Sequence, residues 1–437
     1  MRFVTGTIER PVTCRAIAEG GGRNLHIHGA VHSLRDMGGV VFLALRMPDG
    51  MVQCVCAPAV LPEGLCEECC VELSGQVRDE PRAPGGAEIA VERITVLSRP
   101  AAPMPVSLAK RELGLHLDTE LALRPATLRH PRRRAVSRLQ EGLVRAFRDY
   151  LTGEGFTEIH TPKIVHAGAE GGSNIFKLDY FGKKAYLAQS PQFYKQTMVG
   201  ALERVFEVGP VFRAEKHATP RHLNEYTGLD LEMGYIRSFY DLIELETGYL
   251  RYAMELLARG YARELALLGV ELPAVEQIPC LRFDDAKRLA AERYGYKIRD
   301  PYDLEPEEEV HIGQYAKEAL GSDLVFVTHY PSKKRPFYTM DDPEDPKYTL
   351  SFDLLFRGME VTTGGQRIHD YAAQVAKMEA RGMDPAQFES YLMIHRYGMP
   401  PHGGLGIGME RLTMKLCGLD NVRYASLFPR DRCRLEP

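Results

Sequence analysis

The most heavily functionalised stretch is FRAEKHATPRHLNEYTGLDLEM, residues 212–233, which reads as two strands joined by a loop. Together with the preceding VFEVG, strand alternation puts Phe206, Val208, Phe212 and Ala214 on one face and Glu207, Arg213 and Glu215 on the other. After the loop, Leu229, Leu231 and Met233 face the core, while Asp230 and Glu232 face away. The loop adds Lys216, His217, Arg221, His222 and Tyr226. Cations and an aromatic ring beside a carboxylate cluster suit a nucleotide: cations for phosphate, a ring for the base. Near the C-terminus, PPHGGLGIGMERLTMKL places Gly403, Gly404, Gly406 and Gly408 ahead of a helix that starts near Met409. Such glycines let a backbone or a ligand approach. The run is not a GxxxxGK[ST] phosphate loop, so a nucleotide site here is of another kind. For each of these groups the bland alternative is a solvated sheet face.

Two kinds of scaffold must position these groups. The first hundred residues read as β: LHIHGAVHSL (25–34), VVFLALR (40–46), MVQCVCA, CVELSGQV (70–77) and EIAVERITVL (88–97), with a short helix expected near 59–69. Five short strands with a helix between the third and fourth fit an OB-fold barrel. In its first strand Leu25, Ile27 and Val31 share one face and His26, His28 and His32 the other. Phe42 is a candidate base-stacking platform. The spacing of Val136, Leu139, Leu143, Phe147 and Leu151 predicts an amphipathic helix opening at Pro131, and residues 240–269 predict a long one. Strands are expected at 323–331, 348–358 and 360–365. Strands in runs, without strict βαβ alternation, imply an α+β domain with a mainly antiparallel sheet. The expected organisation is an OB-fold over 1–104, a hinge over 105–130 and a catalytic domain over 131–437.

The 437 residues carry a net charge of −4, which argues against bulk electrostatic binding of nucleic acid. Between Pro105 and Gln140, however, eight Lys or Arg stand against three Asp or Glu. No apolar run reaches membrane-span length and no signal-peptide core is present, so a cytoplasmic protein is expected. Among nine cysteines, Cys66 and Cys69 have CxxC spacing that would suit zinc, whereas Cys54, Cys56 and Cys70 accompany them as strand residues and pack as small hydrophobes.

With FRAE…RHLNEYTGLDLEM and GLGIGMERL in order after a helix and strand ending at Pro162, the chain resembles class II aminoacyl-tRNA synthetases. SPQFYKQ (190–196), EVTTGGQRIHD (360–370) and LFPRD (427–431) resemble segments of the aspartyl branch of the compact archaeal and eukaryotic-like kind. The resemblance covers nearly the whole chain. It implies an ATP site of Arg213, Glu215, Arg221, His222, Leu223, Tyr226, Glu360, Gly408, Met409, Glu410 and Arg411, with Arg213, Glu360 and Arg411 catalytic. It implies magnesium on Asp353, Glu360 and Thr363, and aspartate bound by Glu170, Ser173, Gln192, Lys195, Arg213, Thr363 and Arg367. Thr363 stands where the family usually has serine, and the hydroxyl survives.

The same resemblance implies that the N-terminal barrel binds the anticodon, with Phe42 stacking and Arg35, Gln53 and Glu88 at base edges. His32 and Pro84 stand where strict aspartyl enzymes tend to have tryptophan and lysine. These two departures are similar to the subgroup that charges both tRNA-Asp and tRNA-Asn. A homodimer that aspartylates both tRNAs is therefore expected. A discriminating aspartyl enzyme and an asparaginyl enzyme are the near alternatives, the latter disfavoured by Lys195. An ammonia-dependent asparagine synthetase would have no use for the barrel. A non-catalytic tRNA-binding paralogue would have lost Arg213, Glu360 or Arg411.

Overall fold

Alternating apolar residues in the first hundred positions have one solution that leaves no unpaired edge, a closed barrel. The computed structural model describes residue 6 and residues 11–20, 22–166 and 174–437, and divides them into two compact units, Met1–Arg133 and Arg134–Pro437. In the first unit, β1 (Asn24–Asp36), β2 (Val41–Met47), β3 (Gly50–Cys56), β4 (Cys70–Asp79) and β5 (Ala87–Ser98) close in the order β1-β2-β3-β5-β4. Closure runs through a parallel pairing of β3 with β5, in which Gln53 is level with Glu88. Ile27, Val31, Leu43, Leu45, Val71 and Ile89 fill the interior together with Cys54, Cys56 and Cys69.

Two expectations for this unit are corrected. The helix near 59–69 is a single tight turn, Pro58–Val60, because Gly64 and Glu68 both adopt left-handed backbone (φ 69° and 66°). His32 does not share the outer face with His26 and His28. The β1–β2 register shifts between Val31 and Ser33, and this bulge turns His32 inward. There its Nδ1 lies 3.5 Å from Arg46, which grips Glu68 through two bonds of 2.6 and 2.7 Å. Arg129 donates to the same carboxylate at 2.8 Å. Burial opposes charge on Glu68, but the two guanidiniums hold it below the usual carboxylate range.

The second unit is a sheet backed by helices. Its strands are β6 (Thr157–Glu158), β7 (Ile164–Val165), β8 (Lys177–Tyr180), β9 (Lys183–Leu187), β10 (Arg204–Phe212), β11 (Glu225–Gly234), β12 (Cys280–Arg282), β13 (Leu324–Thr328), β14 (Ser351–Phe356), β15 (Glu360–Gln366) and β16 (His402–Gly408). Eight of them pair in the order β12-β13-β14-β15-β16-β11-β10-β6, antiparallel except for the two edge pairs, and β7-β9-β8 form a small sheet beside them. Two helices bury the back of the large sheet. Pro131–Gly153 contributes Leu139, Leu143, Phe147 and Leu151; Tyr240–Gly260 contributes Leu242, Leu250 and Leu257. The long helix expected over 240–269 breaks at Tyr261, whose hydroxyl donates to Glu141 at 2.6 Å. The opposite face of the sheet is left for polar side chains.

Candidate active site

Residues level with one another in an antiparallel ladder project from the same face. Glu207 on β10 is level with Asp230 on β11, Asp230 with Gly406 on β16, Gly406 with Thr363 on β15, and Thr363 with Asp353 on β14. One row along, Glu232 is level with Gly404. The acids therefore converge on a strand of glycines. The reason is steric: a Cβ on Gly404 would sit 2.0 Å from Glu232 Oε2, and one on Gly406 would sit 3.0 Å from Asp230 Oδ1. These glycines make room for the carboxylates, and Gly406 also borders a cavity.

At the β11 end, the helix Gln192–Leu202 inserts Lys195 over the acids. Lys195 Nζ donates to Asp230 Oδ1 and Leu405 O, both at 2.9 Å, and lies 3.5 Å from Glu232 Oε2. Arg367, at the end of β15, donates through Nε to Glu232 Oε1 at 2.8 Å and through Nη2 to Gly404 O at 3.0 Å. Gln192 lies 3.5 Å from Glu232 and accepts from Arg367 at 3.4 Å. All five side chains are buried. Burial pushes Asp230 above the usual carboxylate range even beside Lys195. Burial opposes the charge of Glu232 too, but Arg367 and Lys195 outweigh it and hold that carboxyl low.

At the β14 end, Asp353 accepts from Arg335 Nη2 at 2.7 Å, and its other oxygen is buried with no hydrogen-bond partner. Burial pushes its pKa up to about 6 against the pull of Arg335. Glu360 stands half-buried at the cavity wall, 3.3 Å from the Thr363 hydroxyl and 3.4 Å from Arg411 Nη1. Burial opposes its charge, but Arg411, Arg221, Arg335 and Arg213 hold it below the ordinary range. His222, with Nδ1 2.5 Å from Thr219 Oγ1, is held below its ordinary value by burial and by nearby Arg411.

Both ends border one cavity of about 840 Å³. Arg213, Glu215, Arg221, His222, Leu223, Tyr226, Gln192, Lys195, Asp353, Glu360, Thr363, Arg367, Gly408, Glu410 and Arg411 all line it. Met409 does not; it packs into the hydrophobic core behind the sheet. Glu410 reaches back to accept from Thr227 N at 3.1 Å, and burial pushes its pKa up to about 7. Glu170 and Ser173 lie outside the described residues. On the barrel, Arg35 is level with Phe42 across β1 and β2, Phe42 is exposed, Gln53 donates to Glu88 at 2.8 Å, and Pro84 is exposed on its loop. Sequence reasoning missed Lys333, Lys334 and Arg335, which also line the cavity. The basic run SKKRP was the available signal. It also left Asp230 and Glu232 without a role, although they are the counter-ions of Lys195 and Arg367.

An antiparallel sheet with an arginine-rich nucleotide-sized cavity on one face, joined to a five-stranded barrel, defines the class. Residues 116–432 match the family model "tRNA synthetases class II (D, K and N)" and residues 25–97 the model "OB-fold nucleic acid binding domain". The chain belongs to the class II tRNA synthetases and is a ligase that forms aminoacyl-tRNA. Within that family it is 48% identical to the aspartate–tRNA(Asp/Asn) ligase of Deinococcus radiodurans, over 99% of this chain and all of that one. It is 50% identical to the enzyme of the same description from Thermus thermophilus, over 95% and 97% of the two chains. Among solved structures, asparaginyl-tRNA synthetase from Pyrococcus horikoshii with asparaginyl-adenylate superposes with a TM-score of 0.89 at 32% identity, covering 98% of this chain and all of that one.

Proposed function

We propose that this protein is a non-discriminating aspartyl-tRNA synthetase, which activates L-aspartate with ATP and attaches it to both tRNA-Asp and tRNA-Asn. The observation that supports it best is the pair of buried cations, Lys195 and Arg367, that meet at Glu232 on the floor of the cavity. An arginine fork beside an ammonium matches a side-chain carboxylate. An asparagine amide would turn an NH2 donor toward one of them, and a site built for one hydrogen-bonding pattern rejects the other strongly.

At the other end, Arg213 faces the α-phosphate of ATP, Arg411 the γ-phosphate, Glu215 the adenine edge, and Tyr226 stacks on the ring. Asp353 and Glu360 suit magnesium: one buried Asp353 oxygen lacks a partner, Glu360 opens to the cavity, and a hard ion takes one or two carboxylates plus phosphate oxygens. When bound, the ion supplies positive charge to the phosphates. This chain's residues hold the two substrates so that the aspartate α-carboxylate meets the α-phosphorus in line and pyrophosphate leaves. Arg213 and Arg411 neutralise charge as it develops. No covalent intermediate with the protein is involved. The terminal ribose hydroxyl of tRNA then takes the aspartyl group.

On the barrel, Phe42 stacks on an anticodon base, with Arg35, Gln53 and Glu88 at base edges; single-stranded loops are where proteins read RNA sequence. Pro84 offers no donor where a lysine would discriminate the third base. His32, buried beside Arg46, shapes this surface from beneath rather than touching a base. The active form is a homodimer formed through the region of Pro131–Gly153 and edge strand β6. Among the described residues no helix is long and apolar enough to cross a membrane, and a tRNA-charging role fits a cytoplasmic enzyme.

ATP–pyrophosphate exchange with aspartate against asparagine, and charging of purified tRNA-Asp and tRNA-Asn, test this reading. Exchange driven by aspartate and comparable aspartylation of both tRNAs are expected. Exchange driven by asparagine would overturn the amino-acid assignment, and a large preference for tRNA-Asp would overturn the relaxed specificity.

A further inference from the structure

Outside the cavity wall, one buried carboxylate touches two of the nucleotide-side groups at once. Glu309 lies on the helix Pro306–Leu320, which is inserted between β12 and β13 and has no counterpart in the motif-bearing strands. The residue is 4% exposed and does not line the cavity. Arg221 Nη2 donates to both of its oxygens, at 2.9 and 2.7 Å, and the backbone N–H of Glu360 donates to Oε2 at 2.8 Å.

These bonds are part of a closed circuit. Arg411 Nε donates to the carbonyl of Arg221 at 3.2 Å, and Arg411 Nη1 donates to the carbonyl of Glu360 at 3.2 Å. Glu309 therefore ties Arg221 to Glu360, and Arg411 ties them a second time. Three of the four members border the cavity; Glu309 is the member that stands behind it. The helix that carries it is fixed at close quarters. A Cβ on Gly313 would sit 2.4 Å from Gly358 N, and one on Gly358 would sit 2.9 Å from Val310 Cα. No side chain fits between that helix and the turn leading into β15, so the approach of Glu309 to Glu360 is set by backbone packing. The Glu308–Lys287 pair, at 2.7 Å, secures the same helical turn from the other side.

We propose that Glu309 is a positioning residue for ATP: it orients the Arg221 guanidinium, so that Arg221 meets the triphosphate already in place beside Glu360 and Arg411. Arg221 Nε is buried without a partner, which leaves the orientation of the guanidinium to its two bonds with Glu309. A fixed fork loses less on binding phosphate than a mobile one. This inference rests on the ATP-binding half of the function proposed above and is independent of which amino acid is activated.

The test is ATP affinity of the full-length protein by calorimetry, without amino acid, together with steady-state ATP–pyrophosphate exchange. Glu309→Gln keeps the shape but removes the charge and one acceptor. Its ATP Kd and the KM for ATP are expected to rise about tenfold or more, with the KM for the amino acid within twofold of the unaltered protein, while its Tm falls because Arg221 loses its buried counter-ion. Glu309→Asp is expected to recover part of the loss. The double variant with Arg221→Ala is expected to bind ATP no worse than Arg221→Ala alone, because Glu309 acts through that arginine. ATP affinity unchanged in Glu309→Gln would overturn the proposal, as would losses that add in the double variant. Equal losses for ATP and for the amino acid would also overturn it, by reducing Glu309 to a structural role. Should Glu309→Gln fail to fold, Glu309→Asp and the Arg221→Ala pairing carry the same comparison.

Discussion

Lys195→Met separates what this lysine does for the fold from what it does for the substrate. Met fills similar space but leaves Asp230 without its 2.9 Å partner and Leu405 O without a donor. Breaking a buried ion pair from one side destabilises by about 3–5 kcal/mol, because the stranded charge stays buried. Asp230 can limit that loss by protonating. Burial already raises its pKa above the ordinary value with Lys195 present; removing the ammonium sends it further up, with Glu207 pushing the same way and Lys163 opposing. A carboxyl whose folded pKa exceeds its unfolded one loses stability as pH rises from the unfolded value, about 3.9, through the folded one. The deficit of Lys195→Met therefore grows as pH rises and shrinks as it falls. Urea unfolding at pH 5.5 and 8 reads this directly. A deficit under about 1 kcal/mol, or one equal at both pH values, would refute it. In exchange assays the KM for aspartate should rise roughly ten- to hundredfold, the worth of one charged hydrogen bond at about 1.5–3 kcal/mol. Adding Asp230→Asn should restore most of the stability and none of the exchange. Recovery of exchange in that double variant would remove Lys195 from substrate binding.

Gly404→Ala puts a Cβ 2.0 Å from Glu232 Oε2 and 2.2 Å from Leu231 O, so thermal melting should show a loss of about 1–3 kcal/mol at the least, with activity falling beside it. Glu246, which accepts from Thr362 Oγ1 at 2.5 Å beneath the sheet, has its pKa pushed up to about 8 by burial. The stability it contributes when protonated is lost as pH rises from the unfolded value, about 4.3, through about 8, so Glu246→Gln should melt close to the unaltered protein near pH 4 and above it at pH 7 and pH 9.

Much of this architecture was legible because strand alternation survives in the sequence wherever one face is core. The barrel strands, β10, β11 and β13 to β15 all follow from it, and so does the helix opening at Pro131. What was not legible has local causes. Leu61, Leu65 and Cys69 repeat at helical spacing, yet Gly64 and Glu68 take left-handed backbone and unwind the segment. A bulge leaves no compositional trace, so His32 looked like an outward residue until the register shift turned it in. The charged face of residues 213–232 follows from the alternation, but which cation each acid meets does not: Asp230 and Glu232 lie beneath Lys195 and Arg367, and only long-range pairing reveals this. Glu309 and Arg335 were invisible for the same reason: their partners are 88 and 18 residues away.

Across the site six acids each meet a cation. Glu207 pairs with Lys163, Asp230 with Lys195, Glu232 with Arg367, Asp353 with Arg335, Glu360 with Arg411 and Glu309 with Arg221. Such pairs contribute little to stability by themselves, since desolvation offsets attraction. Their value lies in geometry. A sheet fixes the spacing of its rows, glycines on β16 leave space for the carboxylates, and two helices and several loops bring in cations. The result is a set of charges that need not rearrange when a triphosphate and an acidic amino acid arrive, which is where electrostatic catalysis gains most. One-to-one pairing also explains why single charge removals in this site should harm folding as well as chemistry, whereas removing both members of a pair should harm chemistry alone.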